Sequence, residues 1–254
     1  MNRYVVLAGA LATMAVNGHA QILFTGSYTN NFDSLGASGT SLDSDWSALR
    51  YAGSGAVGAA LSPTPGSGTS GTGGLYNVGT AGDSDRALGS LASGTTVPRF
   101  GVRFQNSTGG TISHFQLDGV MEQWRSGGSV AANEVLVFEY SFDAADINDG
   151  AATWVAGPDF DLNEKLTTTT ASAAVDGNAA ANQIELSSLV TGFSWGDGGV
   201  LTLRWSDADN TGSNGLYALD NFGLAVVPEP STWAVLGLGL AALAGWRTRR
   251  KIGA

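Results

Sequence analysis

Along residues 21–226, apolar side chains come in short runs that alternate with polar ones, and turn formers separate the runs. Across Arg99–Gln105 the alternation puts Phe100, Val102 and Phe104 on one side of an extended chain; across Val200–Ser206 it does the same for Leu201, Leu203 and Trp205. Both segments therefore predict half-buried strands, and Val135–Phe142, Gln183–Leu189 and Leu216–Val226 predict three more. Between Phe104 and the strand expected at Thr111–Leu117, Asn106–Gly110 supplies two adjacent glycines that can take positive φ, which predicts a β-hairpin. Gly53–Gly74 and Leu166–Ala181, dominated by small residues, predict surface loops within one core rather than linkers between two. No helical period of more than a turn or two competes in this region. The expected fold class is all-β, an antiparallel β-sandwich of lectin-like or jelly-roll type.

Both ends of the chain break this pattern. Met1–Ala20 has an early cation at Arg3, an apolar stretch from Tyr4 to Val16 and a small-residue site at Gly18, His19 and Ala20. That layout is a cleavable signal peptide, with the mature chain starting at Gln21. At the other end a Pro228-Glu229-Pro230 tripeptide precedes an apolar segment from Trp233 to Trp246 and a basic cluster of Arg247, Arg249, Arg250 and Lys251. An apolar helix ending in cations enters a bilayer and leaves its charged end in the cytoplasm, because guanidinium groups cross lipid at high cost. The run is shorter than the roughly 20 residues of a full span, a gap that Ser231, Thr232 and snorkelling arginines can close. The expected organisation is a signal peptide at 1–20, a sandwich at 21–226 and a membrane-inserting tail at 227–254.

The order of a Pro-Glu-Pro tripeptide, a short apolar helix and an arginine-rich terminus resembles the PEP-CTERM sorting signal of Gram-negative bacteria. The resemblance covers about the last tenth of the chain. It implies recognition by exosortase, a membrane-embedded cysteine protease, and a link to exopolysaccharide production. Carried onto this sequence, Pro228, Glu229 and Pro230 are the recognition motif, and Arg247, Arg249, Arg250 and Lys251 are the stop-transfer end. The two prolines also hold Glu229 in an extended segment outside the helix, as a protease substrate requires. Less specifically, Asp83–Ser90, Phe100–Leu117, Glu122–Arg125, Leu203–Asp209 and Leu219–Phe222 resemble a jelly-roll ectodomain that often precedes such tails. That pattern commonly ends in Asp-His-Gly and Asp-Asp, whereas this chain has Asn214-Gly215 and Asp220-Asn221. The departure weakens a metal or catalytic role at those positions.

Charge narrows the partners. Five of the 12 lysines and arginines and one of the 22 acids fall in the terminal segments, so the core carries seven cations against 21 acids. A surface of that sign repels nucleic acid and anionic lipid, and it suits neutral glycans or divalent cations. With no cysteine in the chain, disulfides, thiolate chemistry and thiolate-bound metals are excluded.

Enzymatic chemistry finds little support in the residues. Beyond the signal peptide His114 is the single histidine, and neither a nucleophile elbow nor a zinc or phosphate-loop motif is present. Glu122, Glu139 and Glu185 qualify as glycosidase acids by type, but no spacing pairs them. The acids of Asp207–Asn214, with Asp220, offer two readings. Asp207, Asp209 and Asp220 could supply oxygens to calcium, the one cofactor the sequence suggests, or the same residues could shape a turn through Asx hydrogen bonds. Trp154 and Trp195, beside turn residues, are the candidate sugar-stacking rings, while Trp205 reads as core. The expected protein is a non-enzymatic, exosortase-sorted component of the cell surface or extracellular matrix, with a structural or adhesive role in exopolysaccharide or biofilm. A carbohydrate-binding module, with or without calcium, is the alternative, and a glycan hydrolase comes third. Its precursor would be anchored in the inner membrane facing the periplasm.

Overall fold

The computed structural model describes residues 21–128, 133–168 and 171–227. The signal peptide, the Pro-Glu-Pro tripeptide, the apolar segment and the basic cluster lie outside the described residues. In chain order the strands are β1 (Ile22–Phe24), β2 (Ser27–Asn30), β3 (Trp46–Ala52), β4 (Thr64–Gly66), β5 (Gly74–Val78), β6 (Ala87–Leu91) and β7 (Val97–Asn106). They continue as β8 (Ile112–Arg125), β9 (Val135–Ser141), β10 (Val155–Ala156), β11 (Leu162–Asn163), β12 (Gln183–Trp195), β13 (Val200–Ser206) and β14 (Leu216–Val226). One sheet runs β1-β7-β13-β9-β10, with β3 beside β7 and β11 beside β9. The other runs β12-β8-β14-β6-β5-β4, with β2 beside β14. The long strands alternate between sheets from β6 to β9 and again from β12 to β14, as in a jelly roll. Among the described residues the protein is thus the expected all-β sandwich.

Alternation within strands builds the core. Phe100, Val102 and Phe104 of β7 and Leu201, Leu203 and Trp205 of β13 are buried side by side, because the two strands pair in register from Arg99↔Ser206 to Gln105↔Val200. Trp205 stacks on Phe100 at 5.5 Å and on Trp46 at 5.9 Å, and Phe222 of the opposite sheet meets it edge-on at 5.9 Å. The aromatic cluster therefore spans both layers.

On the outer face of β7, Gly101 makes room for the β9–β10 connection. A Cβ there would lie 2.2 Å from the Leu203 carbonyl oxygen and 2.9 Å from Ile147 Cγ2. The connection lies over the sheet, and its Ile147 carbonyl accepts from Arg204 at 3.2 Å.

The expected hairpin at Asn106–Gly110 is an arch instead. β7 pairs with β13, β1 and β3, whereas β8 pairs with β12 and β14 in the other sheet. The turn chemistry itself holds, with Gly109 at φ 76° and Asn106 Oδ1 accepting from Thr108 N at 3.0 Å. A turn of this kind reverses the chain without deciding whether the strands it joins will pair.

Candidate functional site

A cleft of about 780 Å³ opens at the edge of the sandwich, where β2 and β14 meet the segment leading into β3. Pairing of Asn30 with Phe222 and of Tyr28 with Leu224 forms its floor. Its wall is the 31–45 segment, which starts with a 3-10 turn at Asp33–Leu35. Asn77 Nδ2 pins that segment by donating to the Gly36 and Gly39 carbonyls at 2.8 and 3.0 Å, and Arg86 N donates to Asp33 Oδ1 at 3.0 Å. Asn221 enters from a β-bulge in β14, where the register slips between Asp220 and Gly223, and it stands at φ 50°. A bulge re-aims a side chain, and here it turns Asn221 out into the cleft.

Hydrogen bonds order the cleft's polar groups. Tyr28 Oη accepts from Trp46 Nε1 at 3.1 Å and from Asn30 Nδ2 at 3.3 Å, so its own proton points elsewhere. Asn30 Nδ2 also donates to Asp43 Oδ2 at 3.1 Å, and Ser34 Oγ donates to Asp43 Oδ1 at 2.8 Å. Burial pushes the Tyr28 phenol above its usual pKa, which keeps it a donor. A half-buried aromatic ring, the amides of Asn30, Asn31 and Asn221 and two carboxylates, Asp43 and Asp45, thus line one polar concavity. This donor and acceptor set suits the vicinal hydroxyls of a sugar.

The residues singled out by sequence lie elsewhere and do not converge. Asp207 is buried at the end of β13, where Ser90 Oγ donates to its Oδ2 at 2.5 Å and Ala208 N to its Oδ1 at 2.8 Å. Asp209 accepts from Asn214 Nδ2 at 2.9 Å, and Asn214 Oδ1 accepts from Asn210 N at 2.9 Å. The Asp207–Asn214 loop is therefore shaped by Asx-type bonds, the second of its two readings.

Asp220 sits on the other side of the β14 sheet. Its Oδ2 accepts from Asn221 Nδ2 at 2.8 Å, while its Oδ1 is buried without a hydrogen-bond partner. Among the described residues no group of three acids or histidines could hold a metal ion. Asp207 is bonded to Ser90 of β6, Asp209 lies in the loop beyond β13 and Asp220 lies on β14, so the three carboxylates do not converge.

Trp195 is not exposed. It is 1% accessible, stacks on Phe24 at 5.3 Å and donates from Nε1 to the Gly199 carbonyl at 2.9 Å. Trp154 is half-buried with the Arg204 guanidinium 3.5 Å above its ring, so one face is already covered. Arg204 pairs with Glu139 at 2.7 Å, while Glu185 is exposed on β12. Glu122 is buried and accepts from Trp124 Nε1 at 2.9 Å and Gln183 Nε2 at 3.0 Å. Burial, reinforced by Asp220, pushes the Glu122 carboxyl up to about 7. Neither Glu122 nor Asp220 lines the cleft. The ring of His114 meets Ser113 Oγ at 2.8 Å.

The sequence reading missed Tyr28, Asn30, Asp43, Asp45 and Asn221. Only Asn221 gave a signal, as the departure from Asp-Asp.

The fold and the cleft place the described chain among two-layer β-sandwich proteins with a polar edge cleft. Beyond the sandwich, the chain carries a PEP-CTERM protein-sorting motif, matched over residues 226–251, which marks it as an exported protein. No curated protein matches the chain. Among solved structures it is similar to the CBM22-1 xylan-binding domain of a Paenibacillus barcinonensis protein, at 13% identity and TM-score 0.37, covering 82% of this chain and 97% of that one. It is also similar to the K3 cleaved adhesin domain of Lys-gingipain from Porphyromonas gingivalis, at 14% identity and TM-score 0.41, covering 78% and 98%. At such TM-scores neither likeness bears on ligand or site.

Proposed function

We propose that the protein is an exported, exosortase-sorted glycan binder of the cell surface or extracellular matrix, which holds a neutral polysaccharide in the Tyr28–Asn221 cleft without cleaving it. The cleft carries this reading: its Asn30 amide, Asp43 carboxylate and Tyr28 phenol are held by hydrogen bonds to one another and to Ser34 and Trp46, so little entropy is lost on binding. The acidic core disfavours polyanionic glycans by repulsion. Asp43 is engaged by Asn30 and Ser34 as an acceptor, and the acids with raised pKa lie outside the cleft, which favours binding over hydrolysis. An adhesive role in exopolysaccharide follows from such binding at a surface.

Affinity electrophoresis of the exported protein through gels containing the host's extracted exopolysaccharide tests this reading. The wild type should be retarded, Tyr28→Ala and Asp43→Ala should each weaken retardation about tenfold or more, and no reducing ends should appear. Wild-type mobility unchanged by the polysaccharide would sink the proposal.

Sorting has its own test. The precursor would be anchored in the inner membrane by its tail, facing the periplasm, until exosortase acts at Pro228, Glu229 and Pro230. Replacing these three residues with alanine should leave export intact and block removal of the tail. Appearance of the processed mass in the host despite the substitutions would refute their role in recognition.

A further inference from the structure

The sorting motif begins inside the last strand. Val226 is both the final residue of β14 and the first residue of the matched motif. It is held in the ladder opposite Phe115, and its N–H donates to the Gly26 carbonyl at 2.8 Å. Trp233, where the apolar segment starts, is only seven residue steps beyond Val226. Fully extended, they reach about 25 Å, part of which is spent crossing the headgroup layer. While the tail is inserted, the end of the sandwich at which β14 stops cannot be far from the lipid surface.

That end is a stitched cap. Ser107 N donates to the Phe24 carbonyl at 2.8 Å, which ties the β7–β8 arch to β1. Asn106 Nδ2 donates to the Gly110 and Trp195 carbonyls, both at 2.8 Å, and Gly198 N donates to the Asn106 carbonyl at 2.8 Å. The β1–β2 turn, the β7–β8 arch and the β12–β13 turn thus close around Asn106.

Glycine makes up six of the eleven residues in these three connections. Of the core's 21 acids, these three connections carry one, Asp197, whose Oδ1 accepts from Gly109 N at 2.9 Å. The neighbouring β9–β10 connection does carry Asp143, Asp146 and Asp149, but it folds back over β7 and β13 through Ile147. Two exposed apolar side chains stand on strands that lead to this end. Leu23 (63% exposed) pairs opposite Gln105 near the end of β7, and Leu189 (55% exposed) lies opposite Gln116, which also faces Ala225 beside Val226.

We infer that this cap, formed by the β1–β2 turn, the β7–β8 arch and the β12–β13 turn, is the face that the sandwich presents to the lipid surface while its tail is in the bilayer. An acidic domain is repelled by anionic headgroups over roughly a Debye length, about 8–10 Å. The short tether from Val226 holds this end nearest the headgroups in spite of that repulsion. The opposite end, with Asp207, Asp209 and the connection they begin, then faces outward. This inference rests on the tail insertion proposed above.

The absence of cysteine in the chain allows a clean test. Single Ser107→Cys and Thr211→Cys variants of the full chain, one at each end of the sandwich, would carry the same fluorophore. They would be reconstituted into phosphatidylethanolamine–phosphatidylglycerol vesicles containing a headgroup-labelled nitroxide lipid. Both proteins should float with the vesicles, and quenching at position 107 should exceed that at position 211 several-fold. Flotation with equal quenching, or with stronger quenching at 211, overturns the orientation alone. Failure to float overturns tail insertion and the orientation with it.

Discussion

Trp205→Ala should be the most damaging single substitution in the sandwich, lowering stability by about 3–5 kcal/mol. The ring is 0% exposed and lies against Trp46, Phe100, Phe138, Phe160 and Phe222. Its removal would leave a cavity that aromatic neighbours from both sheets cannot collapse to fill, and it would deprive the Phe160 carbonyl of the Nε1 donor at 3.3 Å. For a domain of this length each kcal/mol shifts Tm by about 2–4 °C, so a fall of roughly 6–20 °C is expected. Trp205→Phe, which keeps the stacking but loses the hydrogen bond, should fall by less than half as much. Urea unfolding of the three proteins checks this. A loss below about 1 kcal/mol for Trp205→Ala would show that the aromatic cluster does not join the sheets as described.

The second large effect is a loss of stability as pH rises. Burial pushes the carboxyls of Asp207, Asp220 and Glu122 each up to about 7. Hydrogen bonds from Ser90 to Asp207, from Asn221 to Asp220 and from Trp124 to Glu122 oppose that rise without cancelling it. In the unfolded chain the same groups release their protons near pH 4. Between about pH 4 and 7 the folded protein therefore holds protons that the unfolded chain has lost, and stability falls as pH rises through this window. Each group alone contributes a slope of at most about 1.4 kcal/mol per pH unit, and Glu122 and Asp220 do not add independently because Asp220 raises Glu122. Burial shifts Glu134 and Glu164 in the same direction. Asp143 and Asp149 are held below the usual carboxylate range by Ser141 and by backbone N–H groups. They act with the opposite sign, losing their contribution only below about pH 4.

Tm should therefore peak near pH 4–5 and decline towards pH 8, and Glu122→Gln and Asp207→Asn should each flatten the decline. A Tm that stays level or climbs from pH 4.5 to 8 would contradict this account. Calcium added at pH 8 gives a further reading: a recovery of Tm that Asp220→Asn abolishes would mean that a cation replaces the proton at the unpartnered Asp220 Oδ1.

Part of the Asp207 result was open to inspection in the sequence. Asp207, the residue after β13, shares the parity of Leu203 and Trp205, so the alternation that buries those two also turns Asp207 inward, while Asp209 lies farther into the loop. Reading the acids of Asp207–Asn214 as a loop hid that parity. Trp195 misleads in the opposite way. Its glycine neighbours suggest exposure, but the ring finds Phe24, which lies at the far end of the core in sequence and beside it only in the sheet.

The sequence by itself determined the all-β class, the faces of β7 and β13, the absence of thiol chemistry and the sorting signal at the C-terminus. These are local properties: a period of two, a composition, or the length of an apolar run ending in cations. Only the tertiary structure decided that Asn106–Gly110 crosses between sheets and that Asp207 and Asp220 face opposite sides of one sheet. It also assembled Tyr28, Asn30, Asp43 and Asn221 into one cleft. Each of these depends on pairing between segments far apart in the chain, such as β2 against β14. Such pairing is set by burial of the whole aromatic core, and no window of the sequence contains it.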